Sequence, residues 1–131
     1  MLVLDSGAVS ALAKRGQREL AVLRSLRESG LWPPVVPTVV LVECLTGSPA
    51  RDANTNRFLK TCRIVSEVPD AVARDAALLR TQARRGSTVD AILVALANPG
   101  GTVVTGDLDD LNGLAVNAQG VLIKSYEALF E

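Results

Sequence analysis

No histidine occurs in these 131 residues, which removes imidazole as a general base, a proton shuttle and a metal ligand. Aromatic residues are nearly as scarce. Trp32, Phe58, Tyr126 and Phe130 are the whole set, too few for a platform on which successive bases could stack. Only two cysteines are present, Cys44 and Cys62. Both sit beside apolar residues without paired spacing, so they are expected to be reduced, packed thiols and not zinc ligands. Net charge is missing too. With 14 Lys plus Arg against 14 Asp plus Glu, the chain has no overall electrostatic pull toward nucleic acid, and any such contact must rest on a local basic patch. No apolar run approaches the ~18 residues of a membrane span. The opening MLVLDS lacks a basic segment and meets an aspartate at position 5, unlike a signal peptide, so a cytoplasmic location is expected.

What is there is apolar. Nearly half the residues are hydrophobic (48%) and 21% are charged, a balance that excludes disorder and suits one domain with a real core. Short β-branched runs alternate with helical patterns. Strands are expected at residues 2–4, 35–36, 63–66, 102–104 and 120–123. Between them fall helices at 6–14 with Ser6 as cap, at 17–29, at 38–45 capped by Thr38, and at about 50–60. Val68, Val72, Ala76, Leu79 and Ala83 step by four, four, three and four, an amphipathic helix. STVDAILVALANPGG opens on a cap and closes on Asn-Pro-Gly-Gly, a short buried helix. The alternation predicts an α/β fold, a three-layer α/β/α sandwich around a mostly parallel sheet.

The carboxylates raise the chemical question, and TVVTGDLDDL, residues 102 to 111, raises it most sharply. Asp5 follows the first strand and Asp107 follows the fourth, and ligands of parallel α/β sheets lie beyond the carboxyl ends of strands. Glu43 is flanked by Val42 and Cys44 in an apolar segment, where an ionised group is costly unless paired or metal-bound. Asp90 alone reads as the third position of a capping box begun by Ser87, and Asp107 with Asp110 as a capping pair. Together they say more. Several carboxylates within ~6 Å of one another cannot all stay ionised without a cation. Oxygen ligands without His or Cys select Mg²⁺ or Mn²⁺, and such an ion activates water and neutralises phosphoryl charge.

With these residues in place, the chain resembles a PIN-domain ribonuclease, most closely the VapC-type toxins of bacterial type II toxin–antitoxin pairs. The resemblance spans almost the full length and is carried by LVLDSGAVSAL, VPTVVLVECL, VPDAVARDAALLR, TVDAILVALA and VVTGDLDDL. It implies that Asp5, Glu43, Asp90 and Asp107 form a catalytic set holding Mg²⁺ or Mn²⁺. In that set Asp5, Asp90 and Asp107 are the ligands, and Glu43 is a ligand or a base acting through water. Asp110 is a further acid, and Thr105 matches a Thr or Ser that orients a ligand or water. The resemblance also implies a homodimer and inhibition by a small cognate antitoxin inserted near the active site. For an RNA substrate, Lys14, Arg15, Arg18, Arg84 and Arg85 would have to supply the phosphate contacts. Phosphoacceptor or phosphatase readings fit poorly, because Asp5-Ser6-Gly7 lacks an Asp-x-Asp and no acidic pair accompanies Asp5. The alternative of a different class is a catalytically silent PIN-like module that binds RNA or protein.

Overall fold

The computed structural model describes all residues 1–131. Leu2, Val3 and Leu4 form β1 and are almost wholly buried, as a run that is apolar on both faces requires. Around it β2 (Val35–Pro37), β3 (Arg63–Val65), β4 (Thr102–Thr105) and β5 (Leu122–Ser125) complete a five-stranded sheet in the order β3-β2-β1-β4-β5. Every pairing is parallel, with Val3 beside both Val35 and Val103. On one side lie α1 (Ser6–Leu12), α2 (Gln17–Glu28), α3 (Thr38–Cys44) and α4 (Ala53–Leu59); on the other lie α5 (Asp70–Ala83), α6 (Thr88–Ala97) and α7 (Leu108–Ala115). This is the expected α/β/α sandwich. The chain leaves β1 toward β2 in one direction and returns to β4 in the other. The sheet therefore switches direction between β1 and β4, which by the general rule for such sheets places the ligand crevice beyond their carboxyl ends; none of the formed grooves of the molecule is lined by Asp5, Glu43, Asp90, Asp107 or Asp110.

Helix α6 is the core of the second layer. Ala91 to Ala95 are all buried, and Leu93 and Val94 are wholly so. Both cysteines are free and half-buried. Burial pushes the Cys62 thiol up to about 12, and its Sγ donates to the Phe58 carbonyl, as expected of packed thiols. No helix is long and apolar enough to cross a membrane.

Several local expectations shift. The residue that caps α1 is Asp5, whose Oδ1 accepts the Ala8 N–H at 2.8 Å, and Ser6 is the first helical residue. The N-cap of α3 is Pro37, while Thr38 reaches across to the Ser66 carbonyl. Strand β5 begins two residues late and runs into Lys124 and Ser125, because an edge strand half-open to water tolerates polar positions. Helix α4 begins at Ala53, not Ala50, because residues 46–52 are folded into a tight loop around one carboxylate.

That carboxylate is Asp52, 4% exposed. It accepts the Thr46 N–H at 2.9 and 3.1 Å, the Thr46 hydroxyl at 2.9 Å and the Gly47 N–H at 2.8 Å. The Thr46 amide above all holds its pKa below the ordinary 3.8. The ionised form is the one the fold favours, so these bonds stabilise fully above the ordinary value and are lost as pH falls through the lower folded one. Asp52→Ala is expected to lower the melting temperature by several degrees near pH 7. The gap between variant and wild type should close in melts carried out below about pH 3. A constant gap across pH would mean that the carboxylate's charge is not what holds the loop.

Candidate active site

At the head of the crevice Asp5 is fixed from three sides. Its Oδ1 takes the Ala8 N–H, and its Oδ2 takes the buried Thr105 hydroxyl and, at 3.1 Å, the Gly106 N–H. The approach is close because two glycines face each other: a Cβ on Gly7 would stand 3.3 Å from the Gly106 backbone. Thr105 also accepts the Asp107 N–H at 2.8 Å. What Thr105 orients directly is therefore the Asp5 carboxylate and the turn into α7.

Glu43 comes in on the last turn of α3 and is exposed, not enclosed by its apolar neighbours. Even so its pKa is raised, first by desolvation and then by the charges of Asp90 and Asp5, while a polar contact from Ser6 draws it back. Asp90 enters on the first turn of α6. Ser87 caps that helix by accepting the Asp90 N–H at 3.0 Å, so the capping box is real. Capping does not settle the electrostatics of Asp90, however. Its pKa is raised, chiefly by burial and further by Asp110 and Asp5, against hydrogen bonding from Ser87. The charges of Asp90 and Asp5 thus bear on Glu43, and those of Asp110 and Asp5 on Asp90.

Asp107 is not among the charges that bear on Glu43 or Asp90. It is exposed, and its Oδ1 accepts the Asp109 N–H at 3.2 Å as the cap of α7. The capping partner is Asp109, not the Asp110 amide that the sequence pairing anticipated. Asp109 itself is exposed on that helix. No three acidic side chains converge closely enough, as they stand, to hold a metal ion, and their mutual repulsion opposes closer approach. The donor set itself, oxygen only with two raised carboxyls, suits a hard divalent cation.

The basic residues divide into two groups. Arg84 and Arg85 lie in the loop between α5 and α6, and Arg85 pairs with Asp110 at 3.0 Å. Lys14, Arg15 and Arg18 belong to the far end of α1 and the start of α2. Lys14 is nine residues beyond Asp5, roughly 13 Å along a helical path. Lys14 and Arg15 rim a groove between α1, α2 and α4, floored by Leu12, Leu20, Leu23 and Phe58, with Arg27 and Arg57 also on its rim. Arg18 lies over the Phe130 ring at 4.6 Å. Sequence reasoning passed over Ser6 beside Glu43 and over Asp52. Only the second left a trace, as an isolated acid following Gly47 and Pro49.

No family model matches the sequence, and no curated protein matches it as a relative. Solved structures do match. VapBC2 from Rickettsia felis, crystallised with a DNA fragment from their promoter, has a TM-score of 0.69 at 15% identity over 95% of this chain and 97% of that one. FitAcB from Neisseria gonorrhoeae gives 0.62 at 18% identity, covering 97% and 99%. PAE2754 from Pyrobaculum aerophilum gives 0.60 at 17% identity, covering 98% and 92%. Likeness this extensive at such low identity is likeness of backbone: the chain has the PIN-like α/β/α fold of the VapC-type proteins that its motifs resemble.

Proposed function

We propose that this protein is a Mg²⁺- or Mn²⁺-dependent endoribonuclease, acting in the cytoplasm as the toxin of a toxin–antitoxin pair. The observation that carries the reading is that burial and the charges of nearby acids (Asp90 and Asp5 on Glu43, Asp110 and Asp5 on Asp90) raise Glu43 and Asp90 near the sheet's switch point. Asp5, Asp90 and Asp107 would hold the ion, which when bound lowers the pKa of a water and neutralises charge on the phosphodiester. Thr105 and the Gly106 and Ala8 amides keep Asp5 in one orientation. Glu43, raised first by desolvation and then by Asp90 and Asp5, would be a further ligand or would accept the proton of the attacking water. Arg85, paired with Asp110, would receive an RNA phosphate, with Arg84 beside it in the chain.

A cognate antitoxin is part of this reading. The apolar groove rimmed by Lys14, Arg15, Arg27 and Arg57 suits an amphipathic acidic segment. So is a homodimer, which would cover apolar surface such as Val42 and Leu78, 82% and 56% exposed. Two observations favour a silent binding module instead: no three acids converge, and Asp107 is turned to cap its helix.

The deciding experiment is cleavage of a mixed tRNA and rRNA pool by the antitoxin-free chain, with Mg²⁺, with Mn²⁺, with chelator, and with Asp5→Asn in parallel. Discrete fragments that require metal and Asp5 are the expected result. A folded protein that cuts nothing under any of these conditions would replace the nuclease with the binding module.

A further inference from the structure

The loop from Ala83 to Ser87 is clamped at both ends. Arg84 adopts the left-handed conformation, φ 55°, as its N–H closes α5 on the Arg80 carbonyl. Two residues on, Gly86 has φ 90°, and its carbonyl accepts Arg80 Nε at 3.2 Å. Between these points Arg85 is laid across α7. Its Nε and Nη2 both donate to Asp110 Oδ1, at 3.1 and 3.0 Å. Its methylenes occupy the space above Gly113, where a Cβ would stand 2.6 Å from Arg85 Cδ. Asp110 and Gly113 are one turn apart on the same face of α7, so the two contacts form a single seat.

The pair is open to water, at 48% and 40% side-chain exposure, and exposed ion pairs contribute little to stability. Its consequence lies in the charge of the crevice. Asp110 is one of the groups whose negative charge bears on Asp90. The only other ion pair in the molecule, Arg74 with Asp70, is local to the first turns of α5.

We propose that Arg85 is a built-in countercharge of the acidic crevice, seated on Asp110 and Gly113, and that it competes for Asp110 with a divalent cation held by Asp5, Asp90 and Asp107, to which Asp110 would be a further contact. This rests on reading the crevice as a divalent-cation site. With the cation absent, Arg85 offsets one carboxylate and limits repulsion. With the cation present, Asp110 is released and the guanidinium becomes free to meet a phosphate oxygen, for which its planar fork is suited.

The test is binding of Mn²⁺ and Mg²⁺ to the whole chain, by calorimetry and by the shift in melting temperature, with no RNA present. Arg85→Gln should bind roughly three- to tenfold more tightly than wild type. Arg84→Gln, the neighbouring charge without a seat, should change affinity much less. Gly113→Ala unseats Arg85 without altering any charge and improves a helix position. It should tighten binding in the same direction while folding at least as well. In an Asp110→Asn background the Arg85→Gln effect should largely vanish. If wild type binds the ions and Arg85→Gln binds them equally or more weakly, the competition is refuted while the crevice remains a cation site. If no variant binds either ion, the cation reading fails, and the countercharge fails with it.

Discussion

Asp90→Asn is expected to reduce metal-dependent RNA cleavage by at least roughly a hundredfold and to leave the fold as stable as wild type, or more so, near neutral pH. Two influences compete at this position. The α6 dipole and the hydrogen bonding from Ser87 favour a charged Asp90 at the helix start. Burial and the charges of Asp110 and Asp5 oppose it, and the raised pKa shows that the opposition wins. A carboxyl whose folded pKa lies above its unfolded one penalises folding at pH values above both. The penalty disappears as pH falls below the unfolded value and the group is protonated in both states. Any stability advantage of the asparagine variant should therefore be largest near neutrality and shrink in acid. Glu43→Gln should behave alike, by the same sign and for the same causes. Melts at several pH values beside the cleavage assay check both halves. Unchanged cleavage with a clear loss of stability would make Asp90 a capping residue and nothing more.

That outcome would be hard to foresee from sequence, because the capping box and the acidic crevice use the same residue. Ser87-Thr88-Val89-Asp90 is a sound helix start, and Ser87 does cap it. The second reading of Asp90 depends on Asp5 and Asp110, which lie 85 residues before it and 20 after it in the chain. Only the parallel order of the sheet brings β1 and β4 side by side and makes those distances short. The strands themselves were legible, since short β-branched runs bounded by turn residues leave little choice once both faces must be covered. Helix ends were less so. Ser6 and Thr38 have the chemistry of caps, yet Asp5 takes the first position and Thr38 bonds across to Ser66.

The residues least visible in sequence are those that act through shape. Glu43 stood out by its apolar neighbours, but Val42 is itself exposed, Cys44 is only half-buried, and Glu43 lies open beside them. Asp52 carries no periodic signal at all, because a carboxylate that binds a loop needs only backbone amides to come to it. Arg85 reads as one of several solvated cations until Gly113 is seen to be the floor on which it lies. For Asp52 and Arg85 the deciding partner is a backbone atom or an absent side chain, and neither leaves a pattern in the letters.

Gly86→Ala is expected to cost about 2–5 kcal/mol and lower the melting temperature by on the order of 10 °C. Two terms add. At φ 90° an L side chain meets its own backbone, a penalty of roughly 1–2 kcal/mol. The new Cβ would also stand 2.6 Å from Leu114 Cδ1 and 3.0 Å from its Cγ. Leu114 is wholly buried in the α7 face of the core, so it has no free rotamer into which to retreat. Gly100→Ala separates the terms. That glycine has a φ of 74°, and a Cβ there would meet nothing within 4 Å, so its substitution reports the backbone cost alone. The excess loss in Gly86→Ala measures the overlap with Leu114. Leu114→Ala, which alone should cost about 2–5 kcal/mol, should cost less in the Gly86→Ala background, since the cavity it leaves accommodates the new methyl group. Equal losses in the two glycine variants would show that Leu114 yields freely. In that case the loop carrying Arg85 would be held at Arg80 and Asp110 but not gripped by the core.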